Sequence, residues 1–175
     1  MKRALILAGK FIQDHEFIYP YYRLQEEGFD VVVASEDGQE TVGALGTKIP
    51  VHIKVDDVRT EDYDFLVIPG GAKAMEYMRQ NRKILETINK WNQEKKIIAC
   101  ICHGGQLLIS AKVVKGRKVS GYYSIKDDIT NAGANYIDAP FVTDGNLVTS
   151  PHYKHLGPWM KECLRVYYEK NDKNH

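Results

Sequence analysis

One stretch limits the possible folds more than any other: Lys96-Ile97-Ile98-Ala99-Cys100-Ile101-Cys102-His103-Gly104-Gly105, running on into Gln106-Leu107-Leu108-Ile109-Ser110. Its Ile-rich part is short and uninterruptedly apolar, as a strand covered on both faces must be. It stops at Cys-His-Gly-Gly, and an apolar helical segment follows without a linker. A strand turned that sharply into a helix, with a nucleophile at the corner, is a nucleophile elbow. The corner needs small residues two places before and two after the nucleophile, because the chain folds back tightly there. Around Cys102 those places hold Cys100 and Gly104. Unpaired N–H groups at the helix start favour a thiolate. Cys102 is therefore the predicted reactive centre, ionised near neutral pH.

The buried-strand signature recurs at residues 4–8, 30–35 and 64–68, with helical segments at 18–27, 75–79, 83–91, 124–133 and 158–168. Residues 9–17 read as a loop leading into the first helix. Strand, helix, strand in succession requires a right-handed crossover and a parallel pair. Residues 49–55 read as a peripheral hairpin or edge strand, 116–120 as a short strand, and 141–149 as a hairpin around Asp144-Gly145-Asn146. The polar tail, 169–175, reads as frayed. The predicted fold is one α/β domain over residues 1–175. It is an open sandwich with a mostly parallel central sheet, helices on both faces and ligands at the carboxyl ends of the strands.

Charge narrows the partners. Lys+Arg 24 against Asp+Glu 23 gives a net charge of +1, which offers no electrostatic reason to expect nucleic acid or an anionic membrane. No apolar run approaches the roughly 20 residues that span a bilayer. Residues 1–10 resemble a signal peptide superficially, but their apolar part is too short, and they read as a first strand. Three cysteines make no disulfide framework and point to free thiols in a reducing cytoplasm. Cys100 reads as the small residue the corner requires rather than half of a redox pair, and Cys163 as core. His152 and His155 could share a helical face but have no third ligand nearby, so no metal is expected. No organic cofactor is expected either.

The residues carry a family likeness. Ile101-Cys102-His103-Gly104-Gly105-Gln106-Leu107-Leu108-Ile109-Ser110-Ala111, Lys115-Gly116-Arg117-Lys118, Ile125-Lys126-Asp127-Asp128, Asn131-Ala132-Gly133-Ala134 and Asp144-Gly145-Asn146-Leu147-Val148-Thr149-Ser150 resemble the ThiJ/PfpI superfamily. The resemblance is nearest to its PfpI intracellular cysteine protease branch. Tyr19-Pro20-Tyr21, Leu24-Gln25-Glu26-Glu27-Gly28 and Ile68-Pro69-Gly70-Gly71 match as well, so the likeness covers nearly the whole chain. It implies a flavodoxin-like sandwich of the class I glutamine-amidotransferase type and a homodimer or homohexamer. Members are described as cysteine peptidases, glutathione-independent glyoxalases, deglycases and holdase-type chaperones.

Carried over by position, the resemblance makes Cys102 the nucleophile and His103 its partner. Gly71, in the Gly70-Gly71 loop, and the residue after the nucleophile would offer amides to an oxyanion. Glu76, allowing one extra residue in the loop, would orient the histidine of a neighbouring subunit. Tyr122 falls where the branch keeps a tyrosine near the pocket. The family's glutamate beside the thiol maps to Gln13, an amide that cannot shuttle a proton; Asp14 or Glu16 could substitute, although one residue of offset usually aims a side chain elsewhere. The expected protein is a cysteine-nucleophile enzyme acting on small carbonyl or peptide substrates, peptidase-like in name. The alternatives are a glyoxalase or deglycase, or an oxidation sensor or stress chaperone in which Gln13 marks lost turnover.

Overall fold

A computed structural model describes residues 1–172. In chain order its strands are β1 (Arg3–Leu7), β2 (Asp30–Ser35), β3 (Thr41–Val42), β4 (Lys48–Ile49), β5 (Ile53–Lys54), β6 (Phe65–Ile68), β7 (Ile97–Ile101), β8 (Lys118–Val119), β9 (Asn135–Tyr136), β10 (Val142–Asp144) and β11 (Leu147–Ser150). The helices are α1 (Asp14–Glu26), α2 (Ala72–Met78), α3 (Arg82–Gln93), α4 (Gly105–Ser110), α5 (Lys126–Asn131) and α6 (Leu156–Asp172). Seven strands form one sheet in the order β10-β11-β7-β6-β1-β2-β5, parallel except for β10.

The chain steps from β1 to β2 in one direction along the sheet and from β6 to β7 in the other. Right-handed crossovers then put α1 and α3 on opposite faces. That double cover is why β1, β6 and β7 consist almost wholly of buried apolar residues with no alternation. Trp91 of α3 and Trp159 of α6 are fully buried, and each indole N–H donates to a strand carbonyl, Ile97 O at 3.0 Å and Val148 O at 3.2 Å. The two largest core side chains therefore bury area without orphaning their polar atoms.

The expected hairpin is formed by β10 and β11. Residues 49–55 divide between two small elements: Ile49 pairs in the β3–β4 hairpin, and β5 edges the main sheet alongside β2. Two helix boundaries differ from expectation by four residues. Helix α6 continues to Asp172 instead of fraying after Tyr168, and positions 173–175 of the expected tail lie outside the described residues. Helix α1 starts at Asp14 rather than at residue 18, because the Gln13 side chain accepts from Glu16 N at 2.9 Å and closes the first turn. That earlier start changes the site.

Candidate active site

Strand β7 delivers Cys102 to the corner. Ile101 is still extended (φ −140°, ψ 145°), whereas Cys102 has φ 60°, a left-handed conformation that a side chain tolerates only when its surroundings enforce it. The enforcement is visible: the Cys102 carbonyl accepts from Gly105 N and from Tyr122 N at 3.1 Å. A Cβ on Gly104 would lie 2.9 Å from Ile68 O and 3.0 Å from Cys100 Sγ, so the small-residue rule at this corner has a steric cause.

The thiol is 6% exposed. The expectation of a resting thiolate does not hold. Burial first, and then the charge of Glu16, push the Cys102 thiol far above its ordinary range, while the His103 backbone N–H pulls the other way. A helix start of a few amides does not offset the loss of water around sulfur. Cys100, wholly buried, is likewise pushed up.

Residues 13, 14 and 16 separate cleanly. Gln13, expected beside the thiol, is the N-cap of α1: its Oε1 holds Glu16 N, and its Nε2 lies 2.9 Å from His15 Nδ1. Asp14 turns away to the β3–β4 loop, where Oδ1 accepts from Leu45 N at 2.7 Å and Oδ2 from Thr47 N at 2.9 Å. Burial raises its pKa, but these bonds outweigh it and leave Asp14 below the ordinary value. Glu16, three residues past the cap, points inward and is fully buried. Its Oε1 accepts from Gly70 N at 2.8 Å, and its carboxyl lies against the Cys102 thiol. Oε2 has no nitrogen or oxygen partner among the described residues. Burial lifts the pKa of Glu16 to about 8 against the bonds from Gly70 and Cys102. The carboxyl beside the thiol is thus Glu16, in place of an amide at Gln13. Replacing Gln13 removes a cap: Gln13→Ala is expected to lower stability by about 1 kcal/mol, a fall in Tm of about 2–4 °C in a thermal melt.

Gly70 fits this packing and little else would. A Cβ there would meet Glu16 Oε1 at 2.6 Å, Cys102 Cβ at 2.9 Å and His103 N at 2.9 Å. Its amide is spent on Glu16, so it is not free for an oxyanion. Gly71 caps α2 with φ 111°, and its N–H has no intramolecular acceptor among the described residues. The His103 ring lies beside the thiol, Nδ1 to Sγ 3.6 Å, stacks on Tyr122 at 4.6 Å and reaches Ser124 Oγ with Nε2 at 3.4 Å. Burial lowers its pKa, so it is neutral at pH 7. Glu76 is largely exposed on α2 and pairs with Lys73 at 3.7 Å, so within one chain it is not the partner of His103. Among the described residues no group of three or more His, Cys, Asp or Glu side chains could hold a metal ion, and no helix is long and apolar enough to cross a membrane. A cavity of about 1010 Å³ lies nearby, walled by Lys10, Asp37, Tyr77 and Met78, but it contains none of these groups.

A model of one family, described as the DJ-1/PfpI family, matches residues 2–166. The chain belongs to the DJ-1/PfpI family. It is 43% identical over 164 residues to "Deglycase PfpI" of Pyrococcus furiosus, covering 94% of this chain and 98% of that one. It is 36% identical over 168 residues to "General stress protein 18" of Bacillus subtilis, covering 94% and 97%. A two-domain crystal structure from Anabaena variabilis, with DJ-1/ThiJ/PfpI-like and ferritin-like domains, superposes with a TM-score of 0.91 at 32% identity. That match covers 94% of this chain and 48% of the other, so the chain spans about half of that protein. The architecture is the flavodoxin-like, class I glutamine-amidotransferase-like fold of this DJ-1/PfpI family.

Proposed function

We propose that this DJ-1/PfpI member is a cysteine-dependent enzyme for small reactive carbonyl compounds and their adducts, working in the manner of a deglycase or glyoxalase. The observation that carries the reading is the pairing of Cys102 with the buried carboxyl of Glu16. A thiol against a carboxyl of raised pKa suits a reaction that moves one proton twice.

On an α-oxoaldehyde, sulfur adds to the aldehyde carbon, and its proton passes by way of Glu16 to the carbonyl oxygen. As the carbon–sulfur bond forms, the His103 amide is released from sulfur and joins Gly71 N–H around that oxygen. The Glu16 carboxylate next takes the proton from the carbon bearing sulfur and returns it to the adjacent carbon, while the hydroxyl proton on the first carbon passes to the oxygen on the second. The product is a thioester, which water hydrolyses to a 2-hydroxy acid and free thiol. On a carbinolamine adduct, sulfur replaces nitrogen: the carbon–sulfur bond forms as the carbon–nitrogen bond breaks, the thiol proton leaves with the amine, and the same hemithioacetal results. An assembly of two or six copies, with Glu76 of one reaching His103 of another, belongs to the same proposal, as does a cytoplasmic setting.

The test is product identification. Methylglyoxal, its N-acetylarginine adduct and a chromogenic peptide are each incubated with the protein. Lactate and free N-acetylarginine are expected, with no peptide cleavage, and Cys102→Ser is expected to form neither product. Peptide cleavage without lactate would replace this reading with a hydrolase. No turnover, with Cys102 readily oxidised, would replace it with an oxidation sensor.

A further inference from the structure

Four separate segments bring aromatic rings together around Cys102. His103 stacks on Tyr122 at 4.6 Å; Tyr122 and His152 are near-parallel at 6.2 Å; His152 packs on Tyr153 at 4.1 Å; Tyr153 stacks on His15 at 5.1 Å. The arc begins at the imidazole beside the sulfur. It ends on α1, where His15 meets Gln13, the cap of the helix that carries Glu16. Both ends therefore rest on elements that touch the thiol, and the rings curve between them.

The mechanism above uses the backbone amide of His103 and none of the rings. They are costly to leave in water: Tyr153 is 43% exposed, and Tyr123, alongside His152 at 6.4 Å, is 39% exposed. Aromatic surface gathered in this way differs from the single exposed apolar residues of ordinary surfaces. The arc contains no carboxylate. Among the described residues the formal charge packed on it is Lys154, whose Nζ lies 5.6 Å from the Tyr123 ring centre. That cation already occupies one π face and repels a second ammonium group, whereas the remaining flat π faces attract another flat π group by offset or edge-on stacking.

We propose that this arc is the specificity surface of the Cys102 site, selecting carbonyl compounds whose carbonyl is conjugated to a planar ring, aryl α-oxoaldehydes being the simplest. The inference rests on the carbonyl reading given above. Tyr153 is its most direct probe, because its ring touches two other rings and its phenol is not needed to hold the loop.

The experiment compares kcat/KM for phenylglyoxal and methylglyoxal, each corrected for its rate of addition to a free thiol. Wild type is expected to favour the aryl substrate by about tenfold, and Tyr153→Ala to lose about three- to tenfold of that ratio, as one stacking contact would. Tyr153→Phe retains it. A ratio near unity in wild type, or one unchanged in Tyr153→Ala, overturns the proposal and assigns the rings to a contact between subunits. A second measurement needs no turnover: alkylation of Cys102 by N-phenyl iodoacetamide against iodoacetamide, in the same three proteins. An aryl preference there that is lost in Tyr153→Ala, with neither aldehyde consumed, keeps the surface and removes the carbonyl reading. Lactate formation without any aryl preference removes the surface alone.

Discussion

Glu16→Gln is expected to lower turnover of methylglyoxal by roughly 10²–10⁴-fold while iodoacetamide alkylates Cys102 at pH 7 at least as fast as in wild type. The amide matches the carboxyl in shape. Its oxygen still accepts from Gly70 N, the bond that is 2.8 Å in the native site, which leaves the NH₂ group toward sulfur. That group donates to a thiolate but accepts no proton at neutral pH. Above about pH 8, where Glu16 is ionised, the substitution also removes a charge that raises the Cys102 thiol, second only to burial. Nucleophile and proton carrier thus come apart: Glu16→Gln loses one readout, whereas Cys102→Ser loses both. Turnover within about threefold of wild type would take Glu16 out of the transition state. Alkylation that collapsed together with turnover would make Glu16 the base that generates the thiolate, instead of the carrier of the substrate's proton.

Between pH 4.5 and about 8 the same carboxyl is expected to cost the fold on the order of 5 kcal/mol. In the unfolded chain Glu16 releases its proton near the ordinary 4.5, whereas in the fold burial holds that proton to about 8. Across this window the folded state binds more protons than the unfolded one, so stability falls as pH rises and levels off once both forms are ionised. Glu16→Gln has no proton to lose. Urea denaturation at half-unit steps from pH 5 to 8 isolates the effect: wild type should lose about 1.4 kcal/mol per pH unit more than the variant, every other group being shared. Parallel curves would show that Glu16 is ionised in the fold. Together the two experiments ask whether a carboxyl that weakens the protein at neutral pH is also the group its chemistry requires.

Much of the architecture was readable in advance, because burial on both faces leaves an unmistakable trace. A strand such as residues 97–101, with a helix layer on either side, has no position that tolerates a polar side chain. The corner was readable for a similar reason: Gly104 is small because Ile68 O and Cys100 Sγ leave no room for a Cβ there. The start of α1 was harder to locate, since a glutamine is a less common cap than serine or aspartate; the carry-over by position then put the family's glutamate at Gln13, with no helix register to show that Glu16 is the inward residue. Gln13-x-x-Glu16, with Asp14 in the first turn, carried the spacing of a capping box, which would have located the helix start. It would not have revealed that Glu16 turns inward.

Sequence by itself determined which residues had to be covered, where the chain had to fold back, and that Cys102 stands at that bend. These follow from hydrophobic periodicity and from backbone sterics, both local to a few neighbouring positions. Only the tertiary structure decided which carboxyl meets the sulfur, that burial raises the sulfur's hold on its proton, and that rings from α1, the elbow, the loop after β8 and the turn after β11 pack in one row beginning beside it. Proton affinities and side-chain encounters depend on distances between segments far apart in the chain, and a linear order of residues does not contain those distances.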